Sequence, residues 1–251
     1  MGKNYIYNNF QIEEYMVKFL ESCLFNNFDD KQGENKKEII FLGDSIIRDY
    51  DLNYFFPNIK DKLFNCGVSG ITTEGLFNIL KNGVVRHNPK IVVILVGTND
   101  MNEYSNRRNE EIVLNIANII TQLKILLNDL NIVVLSILPC DEKRYGKEAI
   151  NGGSRENSRI IEINKYLKQF ENHFKKLKFI DVFPTLADKN NNMVNAYTHD
   201  GIHLNVKGYE KMTALVRPVI DEILKKEEMS KKQEMFKKDE TSQKDEMPKK
   251  D

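Results

Sequence analysis

Short apolar runs that alternate with longer segments of helical periodicity constrain the fold of this chain more than any other feature. The strongest runs are EIIFLG (38–43), KIVVILVG (90–97), NIVVLSIL (131–138) and KFIDVF (178–183), with DKLFNCG (61–67) a weaker candidate. Continuous runs rich in Val and Ile are typical of strands that are buried on both faces. Apolar spacing between and after these runs predicts helices over 72–86, 109–129, 155–175 and 206–225.

Strands that alternate with helices predict a parallel sheet, because a parallel connection needs a crossover that a helix usually provides. The expected fold is therefore α/β, a three-layer α/β/α sandwich around a mostly parallel five-stranded sheet. Of the 251 residues, 41% are hydrophobic, which is enough to build the buried core of such a fold.

Both ends of the chain lie outside this alternating pattern. Residues 11–24 place apolar side chains at helical spacing and precede a polar stretch, so residues 1–35 are expected to form an N-terminal helix and a linker. From Leu224 the sequence is an imperfect, highly charged hexapeptide repeat with almost no aliphatic residues. Such a segment has little apolar surface to bury, so disorder is expected for the tail, residues 226–251. Binding of an unknown partner is a further hypothesis for this tail.

Charge and cysteine content narrow the possible classes of function. Lys plus Arg and Asp plus Glu both number 37, so the chain lacks the basic excess of a nucleic-acid-binding protein. Its three cysteines suggest no disulfide framework. No apolar stretch approaches the roughly 20 residues of a membrane span, and the start MGKNYIYNNF lacks the apolar run of a signal peptide. A cytoplasmic protein is expected, and its oligomeric state is left open.

Small and polar residues follow the predicted strands at the edge of the sheet where ligands usually bind. GDSIIRDY, NCGVSGITTEG and GTNDMNEY follow three strands in chain order, and a long loop with HDGIH follows the last strand. Open parallel sheets carry their functional loops at the carboxyl ends of the strands. The four loops are therefore expected to converge on one cleft.

The segment HDGIH, residues 199–203, has two interpretations. Its histidines have the spacing of the zinc-binding H-E-x-x-H signature, in which both lie on one helical face and the glutamate is the general base. Here Gly201 weakens a helix, and the acid is the shorter Asp200. In the second interpretation, Asp200 orients His203 as the base for a serine nucleophile. The second is favoured, and neither a metal nor an organic cofactor is expected.

Ser45 is the candidate nucleophile, because it follows a predicted strand and precedes a predicted helix. A serine at this position is commonly only a helix cap, and it needs a base within hydrogen-bond reach to act as a nucleophile. His203 is the candidate base, with Asp200 holding its tautomer.

An ester carbonyl under attack also needs hydrogen-bond donors for its developing negative charge. The candidates are the backbone N–H of Ser45, the backbone N–H of Gly70 and the side-chain amide of Asn99. Arg48, one helical turn after Ser45, is a weaker candidate for binding an acidic substrate group, since a solvated or ion-paired arginine is the more ordinary case.

The motifs FLGDSI, NCGVSGIT, LVGTND and DGIHLNVKGYEKM resemble the four characteristic sequence blocks of the SGNH hydrolases, also called GDSL esterases and lipases. The resemblance runs from about Ile39 to Leu224, and it implies that residues 36–225 form a catalytic domain with a flavodoxin-like three-layer fold. It also implies hydrolysis of carboxylic esters. Ile46 stands where the family name has leucine, and both residues are apolar.

Motif by motif, the resemblance implies a role for each candidate residue. It makes Ser45, Asp200 and His203 the catalytic triad, and Ser45, Gly70 and Asn99 the oxyanion-hole donors. It implies a small-molecule ester as substrate.

The function predicted from the sequence is a serine esterase that hydrolyses short-acyl or acetyl esters of a sugar or small lipid through an acyl-enzyme. The short-acyl preference rests on the absence of a long apolar lid insertion from the sequence. A lysophospholipase or a thioesterase would use the same residues. Two rival hypotheses from different classes are a catalytically inactive binding protein and a nucleotide-binding protein with a flavodoxin-like fold.

Overall fold

The structure is a computed structural model that describes residues 37–102, 104–127, 129–146 and 155–245. The predicted N-terminal helix and linker, residues 1–35, lie outside the described residues.

Five parallel strands form one sheet in the order β2-β1-β3-β4-β5. The strands are β1 Ile39–Gly43, β2 Leu63–Gly67, β3 Ile91–Leu95, β4 Asn131–Leu135 and β5 Leu177–Ile180. Ile39 of β1 lies opposite Leu63 of β2 and Ile91 of β3. This is the flavodoxin-like order, in which the direction of winding reverses between β1 and β3. The predicted α/β fold with a five-stranded sheet is confirmed, and the weak candidate strand DKLFNCG is part of it.

Helices connect the strands and follow the last one. They are α1 Ser45–Arg48, α2 Leu52–Phe55, α3 Thr73–Gly83, α4 Asn109–Leu126, α5 Glu142–Tyr145, α6 Asn157–His173, α7 Phe183–Leu186 and α8 Val206–Asp245. Short 3₁₀ helices lie at Pro57–Lys62, Val85–His87, Asn99–Met101 and Asn195–Tyr197. The predicted helices over 72–86, 109–129 and 155–175 correspond to α3, α4 and α6, each within a few residues of its predicted bounds.

The two faces of the sheet are covered in different ways. On one face, aliphatic side chains of the strands form a single buried cluster with side chains of α3, α4 and α6, such as Leu76, Ile116 and Ile163. On the other face, the ring of Phe41 contacts the ring of Tyr50 at a centroid distance of 5.6 Å. Tyr50 stacks in turn on Tyr209 from the first turns of α8, at 5.0 Å. These two layers complete the three-layer sandwich.

β4 ends at Leu135, although the apolar run NIVVLSIL predicts a strand as far as residue 138. Beyond the strand, the backbone of Ile137 pairs with the side-chain amide of Asn164 in α6, with an N–H···Oδ1 distance of 2.8 Å and an Nδ2···O distance of 2.9 Å. The main-chain polar groups are thus satisfied without a neighbouring strand. An asparagine on the packed helix therefore replaces the sheet partner and ends β4.

The chain divides into two compact units, Met1–Thr213 and Ala214–Asp251, and the sheet belongs to the first. In the second unit α8 continues to Asp245, which differs from the disorder expected for residues 226–251 over most of that tail. Lys, Glu, Gln and Met, which fill the repeat, are good helix formers, and Lys226 pairs with Glu222 one turn before it. The boundaries 36–225 and 226–251 stay predictions. Among the described residues, no helix combines the length and the apolar character needed to cross a membrane.

Close contact between the end of β2 and α1 fixes the position of the helix that starts with Ser45. A Cβ atom on Gly67 would lie 2.1 Å from the backbone nitrogen of Arg48, so only glycine fits at this contact. The side chain of Asn65 in β2 donates from Nδ2 to the carbonyl oxygens of Ile47 at 2.7 Å and Tyr50 at 3.1 Å. Backbone packing and one asparagine amide therefore hold α1 against the sheet.

The substitution Gly67→Ala is expected to destabilise the protein by about 1–3 kcal/mol, because its new methyl group meets backbone atoms that have no room to move. Gly70→Ala is the matched control. Gly70 has a φ of +72°, but a Cβ added there would meet open space, so only conformational strain of about 1–2 kcal/mol applies. Urea denaturation of both variants measures the difference. A Gly67→Ala variant as stable as the unmodified protein would contradict the packing argument.

Candidate active site

Ser45, His203 and Asp200 form a continuous chain of hydrogen bonds at the carboxyl edge of the sheet. Ser45 Oγ lies 2.8 Å from His203 Nε2, although the two residues are 158 positions apart in the sequence. His203 Nδ1 lies 2.7 Å from Asp200 Oδ2. An ionised carboxylate accepts hydrogen bonds only, so Nδ1 carries the hydrogen and Nε2 is left to accept from the serine hydroxyl.

The position of Ser45 is set by contacts on several sides of α1. Asp44 caps this short helix, with its side chain accepting from the N–H of Ile46 at 2.9 Å. The Asp44 N–H donates to the carbonyl of Leu95 in β3 at 3.3 Å. The hydroxyl of Tyr209 in α8 donates to the carbonyl of Ile46 at 2.8 Å. The first turns of α8, which follow the loop that carries His203, therefore also hold the helix that carries Ser45.

The loop that carries Asp200 and His203 is held by its own side chains. Asp200 Oδ1 accepts from the backbone N–H groups of Ile202 at 2.9 Å and His203 at 2.8 Å. Thr198 donates its hydroxyl to the carbonyl of His203 at 2.7 Å and accepts from the N–H of Gly201 at 2.8 Å. Such side-chain-to-backbone bonds stabilise a tight turn in place of a helix.

The geometry of this loop differs from that of the helical zinc signature. Residues 199–203 form no helix, Gly201 has a φ of +99°, and the side chain of His199 is exposed. Both ring nitrogens of His203 already have protein partners, Ser45 and Asp200. Within the described parts of the chain, no group of three or more His, Cys, Asp or Glu side chains is placed to hold a metal ion.

The charge of Asp200 is stabilised where it faces the imidazole. Burial works to raise the pKa of Asp200, but the hydrogen bonds from the His203 ring and from the backbone N–H groups of Ile202 and His203 outweigh it. The pKa of Asp200 is therefore below its usual value. An ionised Asp200 can fix the tautomer of His203 and stabilise its protonated ring.

Gly70 and Asn99 lie on the neighbouring loops after β2 and β3. Gly70 is the third residue of a turn closed by the Ile71 N–H to the Val68 carbonyl at 3.3 Å, and its φ of +72° is what a type II turn requires there. Asn99 is nearly buried and donates from Nδ2 to the carbonyl of Ile71 at 3.1 Å. This bond ties the two loops together and leaves the second Nδ2 hydrogen of Asn99 for another acceptor.

Asp100, next to Asn99, ties the same loop to α3. The carboxylate accepts from the backbone N–H of Thr73 at 2.9 Å and from its hydroxyl at 2.6 Å. Thr73 is the first residue of α3, so these hydrogen bonds join the loop after β3 to the start of this helix. Burial raises the pKa of Asp100, and its hydrogen bonds to Thr73 oppose that effect.

Arg155, which lies beside Asn99, is not among the site residues predicted from the sequence. Arg155 Nε donates to the carbonyl of Thr98 at 3.0 Å, and Nη2 lies 3.4 Å from Asn99 Oδ1. Its guanidinium carbon lies 5.8 Å from the ring centroid of Tyr145. The sequence offered only one weak signal, namely that Arg155 stands just before a helix that follows the fourth strand.

The arginine that the sequence analysis did consider, Arg48, forms an ion pair instead. Arg48 Nε and Nη2 donate to the two carboxylate oxygens of Asp49 at 2.7 and 2.9 Å. This bidentate pair is the more ordinary of the two roles expected for Arg48.

Comparison with known proteins gives one family match and one curated relative. Residues 41–211 match the GDSL-like Lipase/Acylhydrolase family, and this range contains all five candidate site residues. N-acylneuraminate cytidylyltransferase of Escherichia coli O18:K1:H7 (strain RS218 / NMEC) is 25% identical over 190 residues, which make up 74% of this chain and 41% of the relative. The chain thus spans about two fifths of the length of this curated relative.

Solved structures of similar fold include two named hydrolases. A GDSL-like lipase from Bacteroides thetaiotaomicron VPI-5482 has a TM-score of 0.68 at 21% identity, and the match covers 82% of this chain and 98% of the lipase. An acetyl xylan esterase has a TM-score of 0.60 at 18% identity, with 73% of this chain and 99% of the esterase covered. At these identities the likeness establishes the fold alone.

Asp44, the cap of the helix that starts with Ser45, is only 1% exposed. Burial raises the pKa of Asp44 to about 7, while the hydrogen bond from Ile46 and the charge of His203 act in the opposite direction. Its ordinary value is 3.8, so folding favours the protonated carboxyl. Between about pH 4 and 7 the folded protein keeps a proton that the unfolded chain has lost. The contribution of Asp44 to the free energy of unfolding therefore falls as pH rises through this window and stays constant above it.

The variant Asp44→Asn lacks this titration and keeps a side chain that caps helices equally well. We expect its free energy of unfolding, relative to that of the unmodified protein, to rise by about 1.4 kcal/mol per pH unit between pH 4 and 7. Urea denaturation of both proteins at intervals from about pH 4.5 to 7.5 measures this difference. A difference that stays constant across the window would show that Asp44 is ionised throughout.

Proposed function

Because the chain belongs to the GDSL-like lipase/acylhydrolase family, we propose that it is a serine esterase acting on acetyl or other short-acyl esters of a sugar or small lipid. The observation that carries the proposal is the hydrogen-bonded series Ser45, His203, Asp200, with contacts of 2.8 and 2.7 Å. A hydroxyl, a base and a group that orients the base are what nucleophilic catalysis at an ester requires.

In the first half of the proposed reaction, Ser45 Oγ attacks the carbonyl carbon of the ester while its proton passes to His203 Nε2. The carbonyl π electrons move to oxygen and give a tetrahedral oxyanion. Asp200 stays ionised and stabilises the protonated imidazole. When the oxyanion collapses, the bond to the alcohol breaks, and His203 gives its proton to the departing oxygen. The acyl group is left on Ser45.

In the second half, a water molecule replaces the alcohol. His203 takes a proton from the water as its oxygen attacks the acyl carbon, and a second tetrahedral oxyanion forms. Its collapse breaks the bond to Ser45 Oγ, which takes the proton back from His203. The carboxylic acid leaves, and the enzyme returns to its starting state.

The proposed donors to both oxyanions are the backbone N–H groups of Ser45 and Gly70 and one Nδ2 hydrogen of Asn99. The other hydrogen of Asn99 is bonded to the carbonyl of Ile71 at 3.1 Å, which restrains the rotation of the amide. Donors fixed before the reaction lose no energy in reorienting, and removal of one comparable donor typically lowers the rate by about a hundred- to a thousandfold.

The names of similar proteins support a carbohydrate ester as the substrate. One structural neighbour is named an acetyl xylan esterase, and the curated relative is named for N-acylneuraminate, which is a sugar. A lysophospholipase or thioesterase would use the same residues. Chain-length specificity separates a lysophospholipase from an acetyl esterase, and a preference for thioesters over oxygen esters would identify a thioesterase.

A fluorophosphonate probe tests the nucleophile. We expect one covalent adduct on Ser45, found by mass spectrometry of peptides, because Ser45 Oγ lies 2.8 Å from a candidate base. Ser45→Ala should lose the label and lower ester turnover at least a thousandfold. Ser158→Ala, which removes an exposed hydroxyl from α6, is the matched control and should keep both. Undiminished labelling of Ser45→Ala would reject Ser45 as the nucleophile.

A series of p-nitrophenyl esters tests the preference for short acyl chains. We expect kcat/KM to be at least tenfold higher for acetate and butyrate than for palmitate, because the sequence has no long apolar lid insertion to shelter a long acyl chain. An unsheltered chain gains no burial energy and hinders the approach of its carbonyl to Ser45. Release of p-nitrophenol, followed by absorbance below the critical micelle concentration of each ester, measures the ranking. The opposite order would favour a lysophospholipase.

A further inference from the structure

Arg155 brings a positive charge into the candidate active site, and its contacts there with described residues are neutral. Nε donates to the carbonyl of Thr98 at 3.0 Å, and Nη2 lies 3.4 Å from the amide oxygen of Asn99. The guanidinium also lies over the ring of Tyr145, with 5.8 Å between its central carbon and the ring centroid. None of these partners supplies a negative charge.

Other arginines around the site have carboxylate partners. Arg48 pairs with Asp49 at 2.7 Å, Arg144 with Asp141 at 3.4 Å. For Arg155, no carboxylate of the described residues lies within the 4.0 Å that defines an ion pair. Arg155 therefore differs from Arg48 and Arg144 in lacking a counter-ion among these residues.

The carboxyl group that interacts electrostatically with Arg155, Asp44, is a poor substitute for a counter-ion. Asp44 interacts electrostatically with Arg155, but it is buried and its pKa is raised to about 7, so it is only partly ionised near neutral pH. Burial also lowers the pKa of Arg155, yet a guanidinium remains protonated in proteins. A partly desolvated cation without a full counter-charge is unfavourable, and an anion bound beside it relieves that cost.

The hydrogen bonds of Arg155 to described residues leave donors available for an anion. A guanidinium has five N–H groups in a planar fork, and the two hydrogen bonds to Thr98 and Asn99 use two of them. The fork suits the two oxygens of a carboxylate, which it binds through paired hydrogen bonds.

We propose that Arg155 binds a carboxylate of the substrate, so that the protein selects short-acyl esters of acidic small molecules, such as O-acetylated sugar acids. The inference rests on the proposed esterase function and narrows its substrate class. Asn99, the proposed donor to the ester carbonyl oxygen, is in contact with Arg155. A carboxylate on Arg155 would therefore lie within one small molecule's length of the ester under attack.

Positioning of Asn99 is the competing role for Arg155, because Nη2 holds the amide oxygen of Asn99. Loss of positioning would slow the hydrolysis of every ester by the same factor. Loss of carboxylate binding would slow only the hydrolysis of acidic esters. The ratio of kcat/KM values for an acidic ester and a neutral ester of the same shape therefore separates the two roles.

The test uses an O-acetylated hexuronic acid and the carboxamide of the same compound, with acetate release as the readout. We expect the unmodified protein to prefer the acid at least tenfold in kcat/KM, and Arg155→Gln to bring the ratio close to one. Arg155→Lys should give an intermediate ratio, because it keeps the charge but not the fork. Arg48→Gln, with the same change of charge at an ion-paired arginine, is the matched control and should leave the ratio unchanged.

Two results would overturn the inference while the esterase function stands. One is equal turnover of acid and carboxamide by the unmodified protein, and the other is an equal loss of both activities in the two Arg155 variants. Arg155→Lys provides the comparison if Arg155→Gln does not fold. Absence of Ser45 labelling and of turnover for every ester would instead reject the esterase function, and the inference with it.

Discussion

The hydrogen bond between Ser45 and His203 depends on keeping two short segments fixed at the carboxyl edge of a parallel sheet. Neither segment is long enough to be stable alone, since α1 has four residues and the His203 loop is irregular. Contacts with the rest of the fold stabilise α1, namely close packing at Gly67 and hydrogen bonds from the amide of Asn65 and the hydroxyl of Tyr209. Tyr209 lies in the first turn of α8, a few residues after the His203 loop, and its hydroxyl bonds to α1. The start of α8 therefore restrains both Ser45 and His203.

Two carboxyl groups near His203 have opposite pKa shifts, and their surroundings explain the difference. Asp44 is enclosed and has one backbone donor, so burial dominates and its pKa rises. Asp200 is more accessible and has two backbone donors besides the imidazole, so its pKa falls. Near neutral pH the full negative charge therefore faces His203 from Asp200, whereas Asp44 is a partly protonated helix cap beneath Ser45.

Much of this arrangement could be predicted from the sequence, and the one strand boundary that was wrong has a local cause. The five apolar runs gave the strands, including the weak run that became β2. The predicted end of β4 was too late, because Asn164 of α6 takes the hydrogen bonds of Ile137 that a neighbouring strand would otherwise have made. The disorder expected for the tail from its low hydrophobicity stays a prediction; α8 is described to Asp245, and its Lys, Glu and Met residues have high helix propensity.

The alternation of strands and helices, and hence the loops that meet at one edge, could be predicted from the sequence. The reason is that a strand buried on both faces consists of consecutive apolar residues. The sequence also singled out Ser45, Gly70, Asn99, Asp200 and His203 through their motifs. The arginine that contacts the candidate site could be identified only from the folded chain. Arg48 is close to Ser45 in sequence but is paired with Asp49, whereas Arg155 is distant in sequence and contacts Asn99. Electrostatic partners are chosen by distance in space, which no local pattern of residues records.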